Sequence, residues 1–70
     1  MNIYIINEQN LSDGFNNIEA FYSRDEAVEH VHSIIEEYGV PADEVQYNGV
    51  SWYDDDYQYF DISLNSVEVQ

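Results

Sequence analysis

The centre of the chain carries one amphipathic helix with clear start and stop signals, and this segment constrains the fold most. Ser23 and Glu26 match a capping box, in which each side chain accepts a hydrogen bond from the other residue's backbone N–H. Gly39 suits the left-handed position that ends a helix, and Pro41 prevents its continuation. The sequence therefore predicts a helix over residues 24–38. The apolar residues on one face of it are Ala27, Val28, Val31, Ile34, Ile35 and Tyr38.

The segments before this helix have strand character. Residues 2–8 and 18–22 are rich in β-branched and aromatic side chains, which favour strands. Residues 10–17 between them contain Ser, Asp, Gly and Asn, which are typical of turns and loops. We therefore expect two strands that pair as a hairpin around a loop.

The segments after the helix are also mostly strand-like. Residues 42–46 are expected to form a short turn, and residues 50–53 a strand. Three adjacent aspartates at 54–56 need solvent and predict a turn. Residues 57–64 form the longest β stretch. The Asn-Ser pair that follows breaks its pattern, so residues 67–69 are either a last short strand or a bulged continuation.

The predicted order of elements is β-β-α-β-β, with one more strand allowed at the end. One amphipathic helix can cover one face of an antiparallel sheet. We therefore expect a single α+β domain over residues 1–70, built as two layers, with the helix packed on a small antiparallel sheet of four to five strands.

The charge of the chain is strongly one-sided, with fifteen acidic residues, one arginine, no lysine and a formal net charge of −14. A domain of this size buries only about 60% of the surface that its unfolded chain exposes, so we expect the charges to lie outside and repel each other. Ordinary solvated surfaces mix both signs. The negative field would attract strongly cationic surfaces, of which nucleic-acid-binding sites are the commonest in proteins.

The composition also excludes several classes of protein. Seven Tyr, three Phe and one Trp argue against a disordered chain, and the absence of cysteine excludes disulfides and thiolate metal sites. Residues 1–6 are apolar but too short and uncharged for a secretory signal, and no apolar run could span a bilayer. We expect a cytoplasmic protein that binds neither a membrane nor nucleic acid directly.

The first group of acids lies on the predicted helix, opposite its apolar face. The lone arginine, Arg24, is in the first turn, so the acids of the last turn meet the negative end of the helix dipole uncompensated. The simplest alternative is a solvated helix face without a function. The group consists of Asp25, Glu26, Glu29, Glu36 and Glu37, with Asp43 and Glu44 as an extension beyond the helix.

The second group mixes acids with aromatic residues near the C-terminus. Tyrosine and tryptophan anchor protein interfaces, while charge steers the encounter between partners. The alternative is a loop beside a solvated sheet edge. The acids are Asp54, Asp55, Asp56 and Asp61, and the aromatic residues are Trp52, Tyr53, Tyr57 and Tyr59.

Metal binding and catalysis are both poorly supported. His30 and His32 are two residues apart on the helix, so they point in nearly opposite directions, and His30 can instead pair with Glu26. The aspartate triplet fails the EF-hand pattern, because position 6 is Tyr59 rather than Gly and position 12 is Asn65 rather than Glu. The chain has no glycine-rich phosphate loop, nucleophile elbow or cysteine nucleophile. We expect no enzyme activity, no cofactor and no metal.

Three short segments carry a resemblance at the level of a class of proteins. Ile-Tyr-Ile-Ile at residues 3–6, Ile-Glu-Ala-Phe-Tyr-Ser at 18–23 and Asp-Glu-Ala at 25–27 look like the start of many small phage proteins. With its size, its charge and its lack of lysine and cysteine, the chain resembles small acidic phage-encoded inhibitors of host defence, namely anti-CRISPR proteins and DNA-mimic antirestriction or glycosylase-inhibitor proteins. This resemblance implies an inhibitor in the host bacterial cytoplasm. It would block the nucleic-acid site of a basic host protein such as a CRISPR effector or a restriction enzyme.

Two other functions stay open at this point. A small interaction module could bind a partner mainly through an aromatic sheet face, with the charge serving solubility. A protein adapted to high salt would use its acids to hold hydration and would need no partner. An exposed edge strand and several tyrosines would also allow a homodimer.

Overall fold

One helix and five strands account for most of residues 1–69, which are the residues that this computed structural model describes. The predicted α+β class is confirmed, but the additional strand lies between the helix and the strand Ser51–Asp54, at Val45–Tyr47, and not at the end of the chain. The elements are β1 (Asn2–Asn10), β2 (Phe15–Phe21), α1 (Arg24–Tyr38), a 3-10 turn (Ala42–Glu44), β3 (Val45–Tyr47), β4 (Ser51–Asp54) and β5 (Phe60–Glu68).

All five strands form one antiparallel sheet in the order β2-β1-β5-β4-β3. β1 and β5 lie at its centre and pair along their whole length, from Asn2 opposite Glu68 to Asn10 opposite Phe60. The strands β1 and β5, far apart in sequence, are therefore neighbours, and the sheet extends from them to the edge strands β2 and β3.

The helix begins and ends where the sequence predicts. The Ser23 hydroxyl oxygen accepts the N–H of Glu26 at 3.4 Å, and Gly39 adopts a left-handed φ of 74° with its N–H bonded to the Glu36 carbonyl. The same face as predicted packs on the sheet. The buried core consists of Ile6, Ala27, Val31, Ile34, Ile35, Trp52, Phe60 and Ile62.

The first hairpin is tighter than the sequence indicates. The loop predicted over residues 10–17 shrinks to a turn at 11–14, because β1 extends to Asn10 and β2 begins at Phe15. The Asn10 side-chain oxygen accepts the N–H of Asp13 at 2.8 Å, and Gly14 adopts a positive φ of 77°. Asparagine favours turns, but the asparagines at 10, 16 and 17 lie in strands here because β1 and β2 pair along this stretch.

The C-terminal strands also differ from the prediction. β3 begins at Val45, inside the segment 42–46 that the sequence predicts as a turn, and Asp54 ends β4 rather than beginning a loop. β5 begins at Phe60 instead of residue 57. It continues through Asn65 and Ser66 without a break, because both residues pair with β1.

The helix does not have the dimensions of a membrane span. α1 has 15 residues, and no helix within residues 1–69 is both long and apolar enough to cross a bilayer.

Candidate acidic interface

Most of the acidic side chains are free in solvent. Eleven of the fifteen are exposed, Glu19 and Asp61 are half-buried, and Glu8 and Asp54 are buried. The expectation that every charge lies on the surface is therefore wrong for two residues, and both of these hold the fold together.

Asp54 organises the loop between β4 and β5. One of its carboxylate oxygens accepts the N–H of Gln58 at 2.8 Å. The other accepts the N–H groups of Tyr59 and Phe60 at 3.0 and 3.1 Å. Tyr57 reverses the chain with a left-handed φ of 51°, and its N–H bonds to the Asp54 carbonyl.

Only 4% of Asp54 is exposed. Because of this structural role, Asp54 is not part of the candidate binding surface. Burial by itself would raise the pKa of the Asp54 carboxyl. The backbone N–H groups of Gln58, Phe60 and Tyr59 outweigh that effect and hold the pKa below its usual value. Both oxygens of this charged carboxylate accept hydrogen bonds inside the fold, while Asp55 and Asp56 beside it stay exposed.

Trp52 is likewise unavailable to a partner. Its side chain is 6% exposed and belongs to the core, where its ring stacks on Tyr47 at 4.4 Å between centroids. The expectation that Trp52 anchors an interface is therefore corrected. The reason is its position in β4, where it alternates with Tyr53 and points toward α1.

The three candidate tyrosines lie in two places. Tyr53 and Tyr57 stack in parallel, with ring centroids 4.7 Å apart and planes at 4°. Tyr53 pairs in register with Asp61, so these residues meet on the sheet face away from the helix. Tyr59 is exposed in the loop after β4, close to the C-terminal end of the helix.

The helix acids predicted from the sequence are all exposed, as are Asp43 and Glu44 of the 3-10 turn. Within residues 1–69 the one contact between a basic and an acidic side chain joins His30 Nε2 to Glu19 Oε2 at 2.7 Å, so His30 contacts β2 rather than Glu26. The helix acids therefore have no cationic partner in this part of the chain. They are Asp25, Glu26, Glu29, Glu36 and Glu37.

Two clefts bring acids and aromatic rings together where α1 ends. The larger has a volume of about 420 Å³, and the smaller, about 290 Å³, lies beside the aspartate loop. Tyr59 lines both clefts, so they are adjacent, and the two together are here called the acidic end. Its exposed acids are Asp13, Glu37, Glu44, Asp55 and Asp56, and Tyr59 is exposed between the clefts.

Glu8 lies at the base of the larger cleft and is 9% exposed. Its Oε2 accepts the hydroxyl of Tyr38 at 2.6 Å. Burial, and next the carboxylate of Glu8, raise the pKa of the Tyr38 phenol. The sequence analysis missed Glu8 and Asp13. Alternation with the buried Ile6 along β1 is the signal that would have found Glu8.

The lone arginine lies far from this region. Arg24 begins α1 and lines a separate cleft with Tyr4 and Leu64, whereas Glu37 is in the last turn. Arg24 and Glu37 are thirteen positions apart, which corresponds to roughly 20 Å along the helix axis. The negative end of the helix dipole adds to the field of the acidic end.

The acids are not arranged as a metal site, since residues 1–69 contain no group of three or more His, Asp or Glu placed to hold an ion. Comparisons with protein-family models, curated proteins and solved structures found no match to this chain. The charge distribution is therefore the main functional evidence.

Proposed function

We propose that this protein is an acidic nucleic-acid mimic. It binds the basic DNA- or RNA-binding site of a host defence protein, such as a CRISPR effector or a restriction enzyme, and occludes that site in the bacterial cytoplasm. The observation that carries the proposal is the array of eleven exposed acids with one arginine, which lies about 20 Å along the helix from Glu37 of the acidic end.

The density of charge supports this function. A net charge of −14 over a longest dimension of 38 Å gives 38/14, or about 2.7 Å per charge. Double-stranded DNA carries one charge per about 1.7 Å of its axis. A groove lined with lysine and arginine for a duplex would therefore meet a field of comparable strength on this much smaller object.

The arrangement of the acids suggests how occlusion would work. The charged helix face and the acidic end would steer the protein toward a cationic groove and raise the rate of encounter. Tyr59, between the two clefts, would then supply the aromatic contact that slows dissociation. The target would be blocked stoichiometrically, without any chemical step.

Capture from a bacterial lysate tests the proposal. Immobilised protein should retain a basic nucleic-acid-binding protein that is released by moderate salt and by added duplex DNA. The variant Asp55→Asn/Asp56→Asn should retain less of it, whereas Glu68→Gln, outside both clefts, should behave as the unmodified protein. A partner held through high salt and indifferent to DNA would contradict mimicry.

A second function, binding a partner through aromatic residues of the sheet, is favoured by the Tyr53–Tyr57 stack. In this case the charge would serve only to keep the protein soluble. The burial of Trp52 makes the strongest candidate anchor of such an interface unavailable. Tyr57→Ala would then weaken capture more than the loss of Asp55 and Asp56, and salt would have little effect.

A further inference from the structure

The sheet face that α1 leaves uncovered, here called the open face, differs in charge from the rest of the molecule. Ile6 is in the core and Glu19, opposite it in register, bonds to His30 of the helix. Their immediate neighbours along each strand therefore point the other way. The open face carries the aliphatic residues Ile3, Ile5, Ile18, Ala20 and Val67 and the neutral polar residues Asn7, Gln9, Ser63 and Asn65.

The aliphatic residues form one patch across three strands. Ile3 lies opposite Val67, and Ile5 lies opposite Ala20, at the spacing where cross-strand side chains touch. Ile18 is 66% exposed and Val67 is 51% exposed. A contiguous apolar patch on such a small protein usually marks a contact surface.

Charge is nearly absent from this face. Within residues 1–69, strand alternation places the charged side chain of Asp61 on it, and Asp55 reaches its outer edge, where its carboxylate accepts the side-chain N–H of Gln46 on β3. Asp61 is four residues along β5 from Asn65, which pairs with Ile5, so it lies about 13 Å from the centre of the patch. That distance exceeds the Debye length of about 8 Å at physiological salt. The other acids belong to the helix, to the loops, or to strand positions that face the helix.

We propose that the open face binds the open face of a second copy of this chain, so that two sheets pack together with the helices outside. Two chains of charge −14 repel each other on every strongly acidic surface. The open face lets them touch with little charge between them. A basic partner would find its counter-charges on the opposite side of the sheet, so the second copy is the occupant that this charge pattern suits.

The size of the face sets the expected affinity. The three strands that carry the patch, β1, β2 and β5, have nine, seven and nine residues. At about 3.3 Å per residue and 4.8 Å spacing they give about 400 Å² per copy. A pair would bury about 800 Å², an area typical of weak, transient interfaces. We therefore expect a weak, reversible dimer. In the dimer both faces of each sheet would be covered, one by the helix and one by the second copy, which would stabilise this small domain.

Sedimentation velocity from low micromolar to near-millimolar concentration tests the proposal. The unmodified protein should shift from monomer to dimer, and moderate salt should strengthen the dimer by screening repulsion. This salt dependence is opposite to that expected for a nucleic-acid mimic on its target, so the two proposals can fail separately.

Substitutions identify the surface. Ile18→Thr and Val67→Thr keep β-branched side chains in their strands and should each weaken the dimer roughly tenfold. Phe15→Thr is the control, because Phe15 is also exposed on β2 but pairs with Asn10 on the helix side.

Methyl NMR of the unmodified protein gives a second readout. The signals of Ile18 and Val67 should shift with concentration while that of the core residue Ile34 does not.

Three results would overturn this proposal. The first is a monomer at every concentration, and the second is a dimer that weakens as salt is added. The third is a dimer sensitive to Ile18→Thr but not to Val67→Thr. Because β2 is an edge strand and β5 is central, that pattern would mean pairing of β2 edges rather than of sheet faces.

Discussion

Tyr38 donates its hydroxyl hydrogen to Glu8 Oε2 at 2.6 Å, and this bond ties the last turn of α1 to the central strand of the sheet. Thirty residues separate the two partners in sequence. The bond fixes the position of the helix end, and with it the larger cleft of the acidic end.

Tyr38→Phe should lower the free energy of unfolding by about 1–3 kcal/mol, because it leaves a buried carboxylate without its donor. Glu8→Gln should cost less, since its amide oxygen can still accept the bond. Urea denaturation followed by circular dichroism measures both. Equal stability of Tyr38→Phe and the unmodified protein would show that the bond adds nothing.

Asp54→Asn should cost about 1–3 kcal/mol of unfolding free energy, since one amide oxygen cannot replace two carboxylate oxygens that accept three N–H groups. Asp55→Asn and Asp56→Asn change the same charge on exposed neighbours and should be neutral or slightly stabilising. Chemical denaturation of the three variants makes the comparison. Similar effects at all three positions would contradict the role assigned to Asp54.

The contribution of Asp54 should also depend on pH. Its folded-state pKa lies below the unfolded value of about 3.9, so its stabilisation is present above that value and is lost as pH falls through the folded pKa. The stability gap between Asp54→Asn and the unmodified protein should therefore be full near about pH 7 and shrink in strong acid. A gap that stays constant across this range would contradict the lowered pKa.

Charge reversal at the two ends of α1 should have opposite effects on stability. Glu36→Lys near the C-terminus relieves an unfavourable dipole contact and should raise stability by about 0.3–1 kcal/mol, while Asp25→Lys near the N-terminus should lower it. Both variants change the net charge equally. Thermal unfolding at low salt measures the difference. If the fold instead needed molar salt, the high-salt alternative would be favoured.

The helix was predictable from sequence to the residue, because Ser23, Gly39 and Pro41 encode its ends locally. The strand ends were not, because Asn16 and Asn65 join strands only through pairing with β1, and their own residue preferences do not encode that register. The exposed acids followed from composition. The burial of Trp52 and Asp54 depends on which face of β4 meets the helix, and that is decided by tertiary packing.

The most direct test of the proposed mimicry is the salt dependence of binding to the captured partner. Calorimetry or fluorescence anisotropy over a series of salt concentrations gives the slope of log affinity against log salt. We predict a steep negative slope, and a shallower one for Asp55→Asn/Asp56→Asn. Duplex DNA should compete with this protein for the target. A flat slope with DNA and this protein bound to the target together would contradict the account.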